Sequence, residues 1–75
     1  MGYHYDRRAT PEETLEVFAS LAPGAMLRDW RRTINGSPVY ISAATVDTLI
    51  AEGAPIRRRD FGSQTYGHVS YYRAG

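Results

Sequence analysis

Residues 54 to 73 read APIRRRDFGSQTYGHVSYYR, and this stretch decides the fold that the sequence predicts. Pro55 ends the helical segment before it, because proline cannot continue a helix. Segments 56 to 61 and 64 to 72 read as strands on either side of Gly62-Ser63, a pair that suits a two-residue type II′ turn with glycine first. The sequence therefore predicts a C-terminal β-hairpin.

A turn at Gly62-Ser63 sets the register of that hairpin. It predicts four opposed pairs: Phe61 with Gln64, Arg59 with Tyr66, Arg57 with His68, and Ile56 with Val69. Opposed residues share one face of a sheet. One predicted face is an arginine-aromatic surface made of Arg57, Arg59, Tyr66, His68 and Tyr72. The other face carries Ile56, Val69 and Tyr71 near its base, together with Arg58, and is expected to pack on the helices.

The arginine-aromatic surface has more than one interpretation. Guanidinium groups bind phosphate and planar rings stack on bases, which favours contact with nucleic acid. Arginine-tyrosine pairs also stabilise a solvated hairpin without any ligand, and the same surface could bind a protein. A small ribonuclease, with His68 as general acid or base, Tyr66 assisting and Arg57 or Arg59 stabilising the phosphorane, is a lesser alternative. We therefore do not expect the protein to be an enzyme.

Two helices are predicted before the hairpin. Thr10 caps the first, Pro11 occupies its first position and Glu13 completes a capping box. The second is AATVDTLIAE, which follows the cap residue Ser42 and ends at Gly53. In it, Ile41 before the cap and Val46 at the fourth helical position suit a hydrophobic staple.

Residues 25 to 34, AMLRDWRRTI, fit two structures. Met26, Trp30 and Ile34 recur every four residues, which favours a helix ending at Asn35-Gly36. The alternative uses Asn35-Gly36 as a hairpin turn between strands 27 to 34 and 37 to 41. We favour the helix and expect Trp30 to pack in the core in either case.

Composition limits the function. The chain has 75 residues, no cysteine and a net charge of +1. One small domain (residues 10 to 73, after an extended arm at 1 to 9) is therefore expected, without disulfides or thiolate metal sites. No segment has the length of a membrane span or the core of a signal peptide, which favours the cytoplasm. No glycine-rich nucleotide loop is present, so no cofactor is expected, and a core this small makes a homodimer possible.

The order of these elements resembles that of winged-helix (winged helix-turn-helix) DNA-binding domains. The resemblance rests on ISAATVDTLIAEG followed by IRRRDFGSQTYGHVSYY and spans residues 11 to 72. It implies a small α+β domain with two to three helices packed on a short antiparallel hairpin or sheet. It also implies a recognition helix at 42 to 52 with groove-side candidates Ser42, Ala43, Thr45 and Thr48, and a wing formed by Arg57 to Arg59 and the tip at 62 to 66.

The first functional hypothesis is an accessory or regulatory protein that binds nucleic acid, chiefly duplex DNA. Its candidate contact residues are Arg57, Arg58, Arg59, Tyr66, His68, Arg31, Arg32, Ser42 and Thr45. The second hypothesis is a protein-interaction module, an adaptor or inhibitor that docks on a larger protein. Nine arginines and no lysine suit planar contacts with phosphate or guanine in the first case.

Overall fold

The computed structural model describes residues 7 to 60 and 69 to 75, and within them the chain forms two helices and two sheets. In chain order the elements are β1 (Arg7–Arg8), α1 (Pro11–Ala19), β2 (Arg31–Ile34), β3 (Ser37–Tyr40), α2 (Ala43–Ala51), β4 (Ile56–Asp60) and β5 (Val69–Arg73). The small α+β class is confirmed, and a hairpin that follows the second helix is consistent with a small winged-helix-like fold. No helix in the described part of the chain is long and apolar enough to cross a membrane.

Helix α1 begins as its sequence predicts. The Thr10 hydroxyl accepts a hydrogen bond from the Glu13 backbone at 3.1 Å, and the Glu13 carboxylate accepts one from the Thr10 backbone at 2.9 Å. This reciprocal pair satisfies two backbone N–H groups that a helix start leaves without partners. The capping box is therefore confirmed at the start of α1, a helix that buries Val17 and Phe18.

The predicted helix at 25 to 34 is wrong. Its last four residues are β2, and Asn35 and Gly36 form the turn into β3 with φ values of 51° and 79°. Positive φ at both central positions is the geometry of a type I′ hairpin turn, which asparagine and glycine adopt readily. The hairpin alternative has the right turn, but its first strand begins at Arg31 rather than at residue 27. Pairing with β3 outweighs the four-residue spacing of the apolar side chains.

The first sheet has the strand order β1-β3-β2, with β1 parallel to β3 and β2 antiparallel to it. Arg7 lies beside Val39 and Arg8 beside Tyr40, while the Ala9 backbone donates to the Tyr40 carbonyl at 2.8 Å. Ala9 is buried in the core. Residues 7 to 9, which the sequence assigned to the arm, are thus attached to this sheet.

The core lies between the helices and the inner faces of both sheets. Phe18, Val39 and Val46 have the largest fully buried apolar side chains. The buried apolar cluster as a whole comprises Ala9, Val17, Phe18, Leu27, Val39, Ile41, Val46, Leu49, Ile56 and Tyr71. Trp30 packs against this cluster, with its ring edge-on to Tyr71 at a centroid distance of 5.6 Å.

Helix α2 has the expected ends. Ser42 occupies the N-cap position, and its carbonyl accepts from the Val46 backbone at 3.1 Å. Ile41 and Val46 are both buried, as a hydrophobic staple requires. Gly53 follows the helix with φ 93°, the left-handed conformation that stops a helix and that glycine adopts without strain. This stop returns the chain towards the core at Ile56.

Candidate nucleic-acid interface

Strand β4 carries the three consecutive arginines of the sequence, and all three side chains are exposed. Arg57 lies opposite Tyr72 and Arg59 opposite Ser70, so these residues share one face of the β4-β5 pair. Arg58 lies opposite Tyr71 and faces the other way. The structure thus brings Arg57, Arg59 and Tyr72 together, and we call them the β4-β5 basic face.

The register predicted from a turn at Gly62-Ser63 is wrong. Ile56 lies opposite Arg73 instead of Val69, a displacement of four residues along β5. Because four is an even number, each side chain stays on its predicted face, and the separation of Arg57 and Arg59 from Ile56 and Tyr71 survives. Tyr66, His68 and the turn itself lie outside the described residues.

Strand β5 is held on both of its edges. β4 pairs with one edge, and the segment before β2 pairs with the other: the Leu27 backbone donates to the Tyr71 carbonyl at 2.8 Å, and the Arg73 backbone donates to the Ala25 carbonyl at 2.9 Å. Arg73 also donates from its guanidinium to the Leu21 carbonyl at 2.5 Å. The basic face therefore rests on a strand that is anchored to the core.

An open cleft of about 560 Å³ runs beside this face. Four arginines, one tyrosine and two glycines line it: Arg57, Arg58, Arg59, Arg73, Tyr72, Gly24 and Gly75. None of these residues is an aspartate or a glutamate. A local concentration of positive charge matters more for binding an anion than the near-neutral total of the chain.

Arg58 has a separate role at the junction of β4 with α2. Its guanidinium lies 3.4 Å from the Asp47 carboxylate, and the Tyr71 hydroxyl donates to the same carboxylate oxygen at 2.8 Å. Burial, and next the hydrogen bond to Asp47, raise the pKa of Tyr71 to about 12. Arg58 thus offsets an acidic charge on α2 and lies off the basic face, as strand alternation predicts, although it was predicted with Arg57 and Arg59 as a contact residue.

Arg31 and Arg32 lie on β2, in the other sheet, and alternate between its two faces. Arg32 lies opposite buried Val39 and is half-buried, and its Nε is buried without a hydrogen-bond partner among the described residues. Arg31 lies opposite Tyr40 on the outer face and is exposed. Of the two predicted contact residues, Arg31 is the more exposed.

The α2 candidates divide in a similar way. Ser42 and Thr45 are half-buried, whereas Ala43 and Thr48 are exposed. The Ser42 hydroxyl makes no capping hydrogen bond within the described part of the chain. Thr48 donates from its hydroxyl to the Ala44 carbonyl at 3.0 Å. The groove-side surface implied by the winged-helix resemblance is therefore small, polar and without a basic residue.

Two residues that the sequence did not single out lie on the outer face of the first sheet. The Arg8 Nε donates to the Tyr40 hydroxyl at 3.4 Å, and the Arg8 guanidinium carbon is 6.0 Å from the centre of the Tyr40 ring. The two residues are 32 positions apart, and only the parallel pairing of β1 with β3 brings them together. Alternation along Val39, Tyr40 and Ile41 was the one local signal that Tyr40 faces outward.

Among residues 7 to 60 and 69 to 75, no group of three or more histidine, aspartate or glutamate side chains is arranged to hold a metal ion. No protein-family model matches the chain, and neither a curated protein nor a solved structure matches it. The basic face and the outer surfaces of the two sheets are therefore the features that bear on function.

Proposed function

We propose that this protein binds nucleic acid, with duplex DNA as its main partner, and that the β4-β5 basic face makes the contact. The observation that carries the proposal is the alignment of exposed Arg57 and Arg59 with half-buried Tyr72 on one face of a hairpin whose inner strand is anchored. Two guanidinium groups on the same side of one strand can bind neighbouring phosphates, each through a bidentate pair of hydrogen bonds. We assign the protein an accessory or regulatory role in the cytoplasm.

The winged-helix resemblance supplies the wider arrangement. In that arrangement α2 approaches a groove and the β4-β5 hairpin is the wing beside it. Asp47 on α2 would repel phosphates, but the Arg58 guanidinium at 3.4 Å offsets its charge. The hydroxyls of Ser42 and Thr45 near the start of α2 would then contact the DNA backbone, where helix N–H groups also favour an anion.

Phosphate contacts of this kind predict affinity more than sequence preference. Contacts to the backbone position a protein on the duplex and carry no base information directly. The described α2 surface has short side chains where base-reading residues are expected, which supports a protein that binds many sequences with similar affinity. Loss of the basic face should therefore weaken binding about equally for different duplexes.

Salt dependence of binding tests the proposal. Fluorescence anisotropy with a labelled random duplex should give a linear fall of log K with log salt, with a slope of about −0.9 for each phosphate neutralised. Arg57→Gln with Arg59→Gln should make the slope shallower by about 2. Arg28→Gln is the matched control, because Arg28 is an exposed arginine outside the basic face. Duplex binding that is absent at low salt, or unchanged in the double variant, would refute the proposal.

A protein partner is the second proposal and uses the same surface. Exposed Glu12 and Glu16 on α1 and the basic face on β4 are oppositely charged surfaces that an adaptor or inhibitor could present to a larger protein. Absence of duplex binding, together with recovery of a defined protein after nuclease treatment of a lysate, supports this alternative. Cleavage of RNA that His68→Ala abolishes would instead support the ribonuclease alternative.

A further inference from the structure

The outer face of the first sheet carries a row of three side chains, one from each strand. Arg8 lies beside Tyr40 in the parallel pair, and Arg31 lies opposite Tyr40 in the antiparallel pair. Partners in register share a face, and the buried neighbour Val39 faces the core, so the row lies on the outer face, with Arg8 and Arg31 exposed and Tyr40 half-buried. Neighbouring strands are about 4.8 Å apart, which places the two arginine-bearing strands about 10 Å apart with an aromatic ring between them.

We propose that the row Arg8-Tyr40-Arg31 is a binding site for single-stranded nucleic acid. A base stacks on Tyr40, and the phosphates on either side of that base meet the two guanidinium groups. Proteins that bind single strands combine these two elements, a stacking ring and a flanking cationic surface. A duplex offers no unpaired base to the ring, so the single strand is the occupant that uses all three side chains.

The charge of this surface matches a polyanion. The described strand residues on this face are Arg8, Tyr40, Arg31, Thr33 and Pro38, and none of them is acidic. Arg7, on the opposite face, is the one β1 arginine whose charge is already neutralised, by Glu13 at 2.7 Å. Arg31 has an interaction of its own, so its part in the proposal rests on its charge and its place in the row.

The contact between Arg8 and Tyr40 prepares the site. The Arg8 guanidinium carbon is 6.0 Å from the ring centre, and Nε donates to the hydroxyl at 3.4 Å. Both contacts are long and therefore weak. A base can thus displace the guanidinium group from the ring at little cost in free energy. The site lies on a different sheet from the β4-β5 basic face, and the proposal holds whether or not that face binds duplex DNA.

Oligonucleotides with and without bases test this site. Labelled oligo-dT and oligo-U of about 15 nucleotides are compared by anisotropy with an abasic strand of the same length, which keeps the phosphates and lacks the stacking groups. We expect about tenfold tighter binding of the base-bearing strands, the change that stacking of one base supplies. The dT and U arms show whether the site prefers DNA or RNA. Equal affinity for the abasic strand overturns the proposal.

Variants then assign the effect to the row. Tyr40→Phe keeps the ring and should keep the preference for bases, whereas Tyr40→Leu should lose it. Arg8→Gln should make the salt slope shallower by about 0.7, the single-strand value for one phosphate. The Arg57→Gln, Arg59→Gln double variant is the control and should keep the preference for bases while losing duplex affinity. A folded Tyr40→Leu variant that keeps the preference overturns the proposal.

A measurement on the unmodified protein covers the case in which Tyr40→Leu fails to fold. Titration with oligo-dT should shift the backbone amide resonances of Arg8, Arg31 and Tyr40 in a two-dimensional NMR spectrum, and titration with the abasic strand should shift that of Tyr40 much less. Binding of oligo-dT without a shift at these three amides overturns the assignment. Duplex affinity, measured separately, tests the proposed function, so failure of that proposal can be told apart from failure of this one.

Discussion

The hydroxyl of Tyr71 donates a hydrogen bond to the carboxylate of Asp47 at 2.8 Å and thereby joins β5 to α2. The two residues are 24 positions apart in the chain. Arg58, opposite Tyr71 on β4, approaches the same carboxylate oxygen. One acidic side chain on α2 thus holds both strands of the hairpin, which means that the orientation of the β4-β5 basic face depends on a junction outside it.

Removal of the Tyr71 hydroxyl should destabilise the fold and loosen this junction. Tyr71→Phe keeps the buried ring and leaves the Asp47 carboxylate without its shortest hydrogen bond, at an expected cost of about 1 to 3 kcal/mol in the free energy of unfolding. Arg58→Gln should cost less than about 1 kcal/mol, because this ion pair is exposed to solvent. Urea unfolding followed by circular dichroism measures both. A larger loss for Arg58→Gln than for Tyr71→Phe would contradict the assigned roles.

Alkaline pH should weaken the same junction. Burial and the hydrogen bond to Asp47 raise the pKa of Tyr71 from 10.0 to about 12, so the folded state favours the neutral hydroxyl. The resulting stabilisation is complete below pH 10 and is lost as the pH rises through 10 towards 12. Urea unfolding in this range should show a steeper loss of stability for the unmodified protein than for Tyr71→Phe. Equal slopes would contradict the shift.

Acid should weaken the attachment of β1 to α1. The Arg7 guanidinium, and next the Thr10 backbone, lower the pKa of Glu13 from 4.5 to about 2. A lowered folded-state pKa stabilises the fold above pH 4.5, and that contribution is lost as the pH falls towards 2. Glu13→Gln should reduce this acid dependence, whereas Glu12→Gln, at the preceding exposed position, should not. Unfolding free energies at several acidic pH values provide the comparison.

The turn between β2 and β3 should be sensitive at Gly36. Its φ of 79° is left-handed, and a Cβ added there would meet no atom within 4 Å, so the cost of Gly36→Ala comes from the backbone alone. That cost is expected to be about 1 to 2 kcal/mol. Ser37→Ala is the matched control at the next exposed position, with an expected change within about 0.5 kcal/mol. Chemical denaturation measures both, and equal effects would show that the turn conformation is not the cause.

The hairpin that carries the basic face shows which features an alternating sequence pattern predicts and which it does not. Alternation along the chain was enough to place Arg57 and Arg59 on one face and Ile56 and Tyr71 on the other, because side-chain direction in a strand repeats every two residues. Alternation did not predict which residue of β5 lies opposite each residue of β4. Ile56 pairs with Arg73, and β5 also pairs with the segment around Leu27; no local turn signal reports either pairing.

Interactions between residues close in sequence were sufficient to predict both helices. The capping box of Thr10 with Glu13 and the glycine stop at Gly53 act over three or four residues. The residue types at these positions therefore predict the helix ends directly. Residues 25 to 34 could not be assigned in the same way. Their apolar spacing suits a helix, and the choice of strand depends on hydrogen bonds to β3 and β5 that form only when the chain folds.

The row Arg8-Tyr40-Arg31 forms only in the tertiary structure, through the pairing of β1 and β2 with β3. The local sequence pattern predicted the α+β class of the domain, its two helices and the face of each arginine on β4. It could do so because capping, glycine stops and strand alternation are short-range effects. Which strands become neighbours is decided by burial of one shared core, to which distant segments contribute together. That choice placed β1 beside β3 and created a second cationic surface around Tyr40 that the sequence did not reveal.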